Sequence, residues 1–177
     1  MKLLTFAASN SRQSINKHIA TYAASLAIGA DIDVLDINDF EMPLYSIDRE
    51  TETGIPALAQ DFLNRIAQAD AVIISFAEHN GSYTAAYKNL FDWASRIEPK
   101  VYQNKPMLLL ATSPGPGGAS SVLATAVNSA PYFNGDVKAS LSIPSFYDNF
   151  DLGIGKITNS DINTALINIV NNLTNNK

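Results

Sequence analysis

Cysteine is absent from the 177-residue sequence, which excludes disulfides, thiolate metal sites, cysteine nucleophiles and a secreted scaffold stapled by disulfides. Any redox chemistry has to come from a bound cofactor. Positive charge is also scarce. Lys and Arg total 12 against 17 Asp and Glu, a net charge of −5, and no basic cluster exceeds one or two positions, so neither nucleic acid nor an anionic membrane is an expected partner. No run approaches the roughly 20 apolar residues of a membrane span. The N-terminal apolar stretch is too short for a signal sequence and passes directly into Ser9-Asn10-Ser11-Arg12. It reads as a buried strand, and the expected location is the cytoplasm.

What remains is a chain with 46% apolar residues and one regular pattern throughout, expected to form a single domain over residues 1–177. Short apolar runs alternate with helical periodicity, as in a parallel sheet built from strand-helix-strand units. Strands are expected at 2–8, 32–37, 71–76, 106–112 and 136–143. Helical stripes run through Ile15, Ile19, Ala23 and Leu26, through Ile55, Leu58, Ala59, Phe62 and Ile66, and through Tyr87, Leu90, Phe91 and Ala94. On the third helix, Lys88 with Asp92 and Asp92 with Arg96 have ion-pair spacing on a solvated face. A weaker helix covers 119–130. The last runs from Ile162 to Leu173 after a Ser160 or Asp161 cap, and the final Asn-rich residues are expected to fray. Two long connections, 38–54 and 144–159, stand out as candidates for function.

In an open parallel sheet, ligands bind beyond the carboxyl ends of the strands where strand order reverses. The segments after strands one, three and four therefore matter most. After the first comes Ser9-Asn10-Ser11-Arg12-Gln13-Ser14-Ile15-Asn16, hydroxyls and short amides delivered to a helix's first turn. Free N–H groups and the positive end of the helix dipole suit a phosphate dianion there. Simple N-capping explains one of these residues but not the set. The Walker pattern and the Gly-x-Gly-x-x-Gly fingerprint are both missing, which leaves a mononucleotide-type phosphate.

After the third strand comes Phe76-Ala77-Glu78-His79-Asn80-Gly81, where Asn-Gly makes a tight turn and main chain can approach a flat ligand. The competing reading is a plain strand-to-helix turn capped by Ser82 or Thr84. Glu78 and His79 lack a nucleophile or ligand set to act with. His18, the other histidine, falls on a helix, so hydrolytic or metal chemistry is disfavoured. After the fourth strand, Ser113-Pro114-Gly115-Pro116-Gly117-Gly118 interleaves glycine with stiffening proline, as a preformed wall for a flat ligand would. A mobile surface turn would not need those prolines.

Glu78-His79-Asn80-Gly81-Ser82-Tyr83 followed by Lys88-Asn89-Leu90-Phe91-Asp92-Trp93 resembles the Pro-Glu-Tyr-Asn-Gly-Ser and Lys-Asn-Ala-x-Asp-Trp pattern of the NADPH-dependent FMN reductase family. The likeness covers nearly the whole chain. Ser9, Arg12, Ser14 and Asn16 are similar to that family's phosphate loop, with one residue fewer between Arg12 and Ser14 than in many members. Ser113-Pro114-Gly115 and Gly117-Gly118 are similar to its glycine-rich loop. Ala77 replaces a common proline and His79 a common tyrosine.

The resemblance implies a flavodoxin-like α/β fold: a doubly wound, five-stranded parallel sheet of order 2-1-3-4-5 with helices on both faces. It implies FMN as cofactor and NADPH or NADH as co-substrate. Ser9, Ser11, Arg12, Ser14, Ile15 and Asn16 would hold the phosphate. Phe76, Ala77, Glu78, His79, Asn80 and Gly81, with Ser113, Pro114, Gly115, Gly117 and Gly118, would flank the ring. No side chain is a required catalyst, because the flavin carries the hydride. Implied partners are small acceptors, such as a quinone, free flavin or azo compound, reached by a ping-pong cycle. A homodimer or homotetramer is also implied. The alternatives are a flavodoxin-type electron carrier that does not oxidise NAD(P)H, and a flavin-free interaction protein. Trp93 is expected to be packing. The aromatic segment 144–150 either covers the open ring face or packs as a satellite cluster on its own domain.

Overall fold

The computed structural model describes residues 1–175. Strand β1 (Lys2–Ala8) leads into helix α1 (Ile15–Ser25), and β2 (Asp31–Leu35) is followed by α2 (Ile47–Thr53) and α3 (Ala57–Gln68). Next come β3 (Ala71–Phe76), the short β4 (Glu78–His79) and β5 (Ser82–Tyr83), and α4 (Ala85–Ile97). The chain continues through β6 (Lys105–Thr112), α5 (Ser120–Ser129) and β7 (Gly135–Ile143). It closes with α6 (Phe146–Asn149), β8 (Phe150–Asp151), β9 (Lys156–Ile157) and α7 (Ser160–Asn175). The main sheet has order β2-β1-β3-β6-β7 and is parallel at every pairing. That is the expected 2-1-3-4-5 order, and the fold is flavodoxin-like.

Alternation along the strands builds two cores. Leu4, Phe6, Val72, Ile74, Met107 and Leu109 face α3, α4 and α5, joining Phe62, Trp93 and Val122. Leu3, Ile73, Leu108 and Leu110 face α1 and α7, joining Ile19, Phe146 and Val170. The three central strands are buried on both faces, which explains their continuous apolar runs. Trp93 is packing as expected: it is fully buried, and its Nε1 donates to the Pro43 carbonyl at 2.7 Å.

Several expectations are corrected. The second strand ends at Leu35, because Asp36 caps a 3-10 turn over Ile37–Phe40, accepting from the Asn38 N–H at 3.0 Å. The 38–54 connection contains that turn and α2, which Ser46 caps by accepting from the Arg49 N–H. Arg96 pairs with Glu50 at 2.9 Å rather than with Asp92, whereas Lys88 does reach Asp92. The last helix is introduced by Asn159, whose Oδ1 accepts from the N–H groups of Asp161 and Ile162 at 3.1 Å. Fraying at Asn176 and Lys177 falls outside the described residues. Among the described residues, no helix is long and apolar enough to cross a membrane.

Candidate functional site

Reversal of strand order between β1 and β3 opens a cleft of about 270 Å³ at the carboxyl edge, walled by all three loops singled out above. Its first wall is the entry to α1. Ser14 caps that helix, its Oγ accepting from the Lys17 N–H at 3.3 Å. The N–H groups of Ile15 and Asn16, in the first turn, have no intrahelical acceptor. No acidic residue occupies that turn, so the positive end of the helix dipole is not neutralised there. Ser9 Oγ accepts from the Ser11 N–H, and Ser11 Oγ from the Gln13 N–H, both at 3.3 Å. Each hydroxyl therefore keeps its own proton for an anion.

The Asn16 side chain also has a structural role. It lies almost buried and braces the sheet: Nδ2 donates to the Thr112 carbonyl at 3.1 Å, while Oδ1 accepts from Ser75 Oγ at 2.8 Å and from the Thr112 N–H at 3.1 Å. It ties α1 to β3 and β6 beneath the cleft. The residue's main-chain N–H, in the first turn of α1, has no intrahelical acceptor.

The second wall is a two-residue hairpin. Glu78 pairs with Tyr83 and His79 with Ser82, leaving Asn80 and Gly81 as the turn, with φ of 54° and 76°. Positive φ at both central positions is the type I′ geometry that Asn-Gly favours. Thr84 is the cap of α4, accepting from the Tyr87 N–H, and it also donates to the Ala8 carbonyl at 3.1 Å. The hairpin is thus anchored to the end of β1. The Glu78 carboxylate accepts the Val122 N–H of α5 at 2.8 Å. α5 has no side-chain cap of its own, so Glu78 serves as one and places its charge at the positive helix end. Phe76 is fully buried, its ring 5.5 Å from Tyr87. Its side chain belongs to the core.

The third wall is fixed to the 144–146 segment. Ser145 and Phe146 donate their N–H groups to the carbonyls of Gly115 and Ser113 at 2.9 and 3.0 Å. Gly118 has φ of +59°, and a Cβ there would lie 2.3 Å from Ser142 Oγ. Glycine at 118 is required by packing. At Gly115 and Gly117 an added Cβ would meet nothing within 4 Å, so the space beside them is open to a flat ligand.

The cleft therefore brings together Ser9, Ser11, Ser14, Ile15, Asn16, Ala77, Glu78, His79, Ser113 and Pro114. Arg12 does not line it; it borders a neighbouring depression with His18 and Leu152. Asn80, Gly81, Gly115, Gly117 and Gly118 shape the two ring-side loops without lining the cleft. Gln13, Thr112 and Tyr147 line it in addition. Tyr147 is exposed, whereas Phe146 and Phe150 stack at 4.9 Å. Within the aromatic segment Phe146 and Phe150 join the core on the α1 and α7 side of the sheet, and Tyr147 walls the cleft.

Fold and cleft together define a flavodoxin-like protein. Its sequence matches the model of the NADPH-dependent FMN reductase family over residues 1–144. It is similar to NADPH:quinone oxidoreductase of Arabidopsis thaliana, 36% identical over 93 residues, which are 52% of this chain and 46% of that protein. It is also similar to 2-hydroxy-1,4-benzoquinone reductase of Burkholderia sp, 36% identical over 122 residues, 68% of this chain and 64% of that protein. The matches span about half to two thirds of those relatives' own length. In fold it is similar to FerB, a flavoenzyme NAD(P)H:(acceptor) oxidoreductase from Paracoccus denitrificans. That likeness has a TM-score of 0.77 and 24% identity, covering 98% of this chain and 94% of that one. The chain belongs to the NADPH-dependent FMN reductase family.

The site's donors fit FMN. Hydroxyls and unpaired N–H groups at the α1 entry match a phosphate, and the open space beside Gly115 and Gly117 matches a flat ring approached by backbone.

Proposed function

We propose that this chain, as one domain over residues 1–177, is an NAD(P)H-dependent FMN oxidoreductase reducing small acceptors such as quinones, free flavin or azo compounds. The observation that carries this is the convergence of a phosphate-type donor set and two glycine-bearing loops on one cleft. FMN, when bound, supplies a ring that takes up a hydride and passes two electrons on. The protein's part is to bind and orient. Ser9, Ser11, Ser14 and the N–H groups of Ile15 and Asn16 hold the phosphate, and Arg12 adds positive charge from the side. Residues Ala77 to Gly81 and Ser113 to Gly118 confine the ring, Phe76 supporting them from the core. No general acid or base is required of the protein, because the flavin carries the hydride.

NAD(P)H and the acceptor then use the same open side in turn, in a ping-pong cycle with broad acceptor choice. The quinone-reducing relatives support quinones as the acceptor class. We place the protein in the cytoplasm as a homodimer or homotetramer. Steady-state rates at several fixed quinone concentrations test the cycle: parallel double-reciprocal lines are expected, and intersecting lines would exclude it. Reduction of FMN by neither NADH nor NADPH would favour the electron-carrier alternative.

A further inference from the structure

A second cavity, of about 240 Å³, is lined by α4, the end of α5 and the turn that follows, and shares no lining residue with the cleft. Its walls are aromatic. Phe91 lies 4.8 Å edge-on from Phe133, 5.6 Å from Tyr102 and 6.0 Å from Tyr87. Lys88 and Asp92 also line it, but they bond each other at 2.7 and 2.8 Å, so the cavity presents no net charge to an ion.

The hydroxyls of Tyr87 and Tyr102 lie 2.7 Å apart, and their side chains are only 1% and 4% exposed. A phenol pair carries two protons, and the bond between them uses one. Whichever phenol donates, the other's proton has no acceptor within the pair, and among the described residues neither hydroxyl bonds elsewhere. Burial holds both groups above the usual phenol range, so both protons stay on at neutral pH. Tyr83 differs: Ser129 Oγ donates to the Ala126 carbonyl at 3.3 Å, which leaves the 3.1 Å contact between Tyr83 and Ser129 to the tyrosine's proton. One spare donor therefore belongs to the buried pair. A water in the cavity would meet that need, and a ligand displacing it must bring an acceptor or forfeit the bond.

Volume limits the ligand's size. About 150 Å³ suffices for benzene, so this cavity takes one substituted ring. We propose that it is a second ligand site, for a neutral single-ring aromatic compound whose carbonyl oxygen accepts the spare phenol proton. The site is separate from the cleft but adjoins it, since Tyr83 lines the cavity and its hairpin partner Glu78 lines the cleft.

The test titrates the full chain, with and without saturating FMN, using 4-methylacetophenone and its carbonyl-free analogue 4-ethyltoluene, followed by amide NMR. The ketone is expected to shift the amides of Tyr102 and Phe133 while sparing Ser9 and Ser113. It should bind about fivefold tighter than the hydrocarbon, as one net hydrogen bond allows. Tyr87→Phe with Tyr102→Phe should abolish that preference while retaining the hydrocarbon. Ser95→Phe, which leaves both phenols in place, should weaken both probes by filling space. Equal affinities, no binding, or shifts confined to the cleft would overturn the proposal. So would a dimer whose dissociation on dilution moves the Tyr102 and Phe133 amides, which would make the cavity a subunit seam.

Discussion

Replacing Asn16 by Ala removes the brace that holds the cleft's three loops to one scaffold. Three hydrogen bonds disappear at once. The groups left behind are the Thr112 N–H and carbonyl and the Ser75 hydroxyl, on residues that are 1% and 0% exposed. A buried polar group without a partner costs about 1 to 3 kcal/mol. With water entering part of the gap, the expected loss is about 3 kcal/mol, or roughly 6 to 12 °C in Tm for a chain of this size. Urea unfolding of ligand-free wild type and Asn16→Ala measures it. Asn16→Asp keeps the acceptor but sets a carboxylate against the Thr112 carbonyl, and should be no better than Ala. FMN affinity should fall with stability in both variants. A loss under about 1 kcal/mol in Asn16→Ala would refute the bracing role, since even one orphaned buried group reaches that value.

Ser14→Ala removes the α1 cap and should lower stability by about 1 kcal/mol. In fluorescence titrations it should weaken FMN about tenfold but leave riboflavin, which lacks the phosphate, unchanged. Glu78→Ala strips α5 of its borrowed cap; stability should drop by about 2 kcal/mol, FMN and riboflavin should weaken together, and Glu78→Gln should recover most of both. Gly118→Ala forces a Cβ against Ser142 at a positive φ and should lower Tm by several degrees, whereas Gly117→Ala, with open space around it, should not. Burial raises the Tyr87 and Tyr102 phenols above their ordinary value near 10. Their contribution is therefore complete below pH 10. As pH climbs above it, only the unfolded chain ionises, and stability should fall by up to about 1.4 kcal/mol per pH unit per phenol. Urea midpoints at pH 9 and 11 check this, and the double Phe variant should flatten the slope.

What was legible in the sequence was what local chemistry determines. The three central strands announced themselves as apolar runs because both their faces are covered, and Asn80-Gly81 signalled a turn because few other pairs accept two positive φ values. Partners distant in sequence left no such mark. The bracing role of the Asn16 side chain was not legible, because it depends on Ser75 and Thr112, 59 and 96 residues away. The capping of α5 by Glu78 spans 44 residues and has no local signature. Asp36 was readable in principle: an Asp two residues before Asn38 is an Asx-type stop, hidden here by the apolar Ile37 that follows it. Nor could the sequence show that Arg12 borders the depression beside the cleft, with His18 and Leu152, since that depends on the path of the loop.

The central claim, that the cleft holds FMN for reduction by a nicotinamide nucleotide, is tested most directly by anaerobic spectroscopy. Purified protein is mixed with FMN, freed of unbound flavin, and titrated with NADH and then NADPH while the flavin band near 450 nm is followed. Retention of FMN and bleaching of that band by at least one nucleotide are predicted. A protein that retains no FMN, or whose bound FMN stays yellow with both nucleotides, would contradict the account.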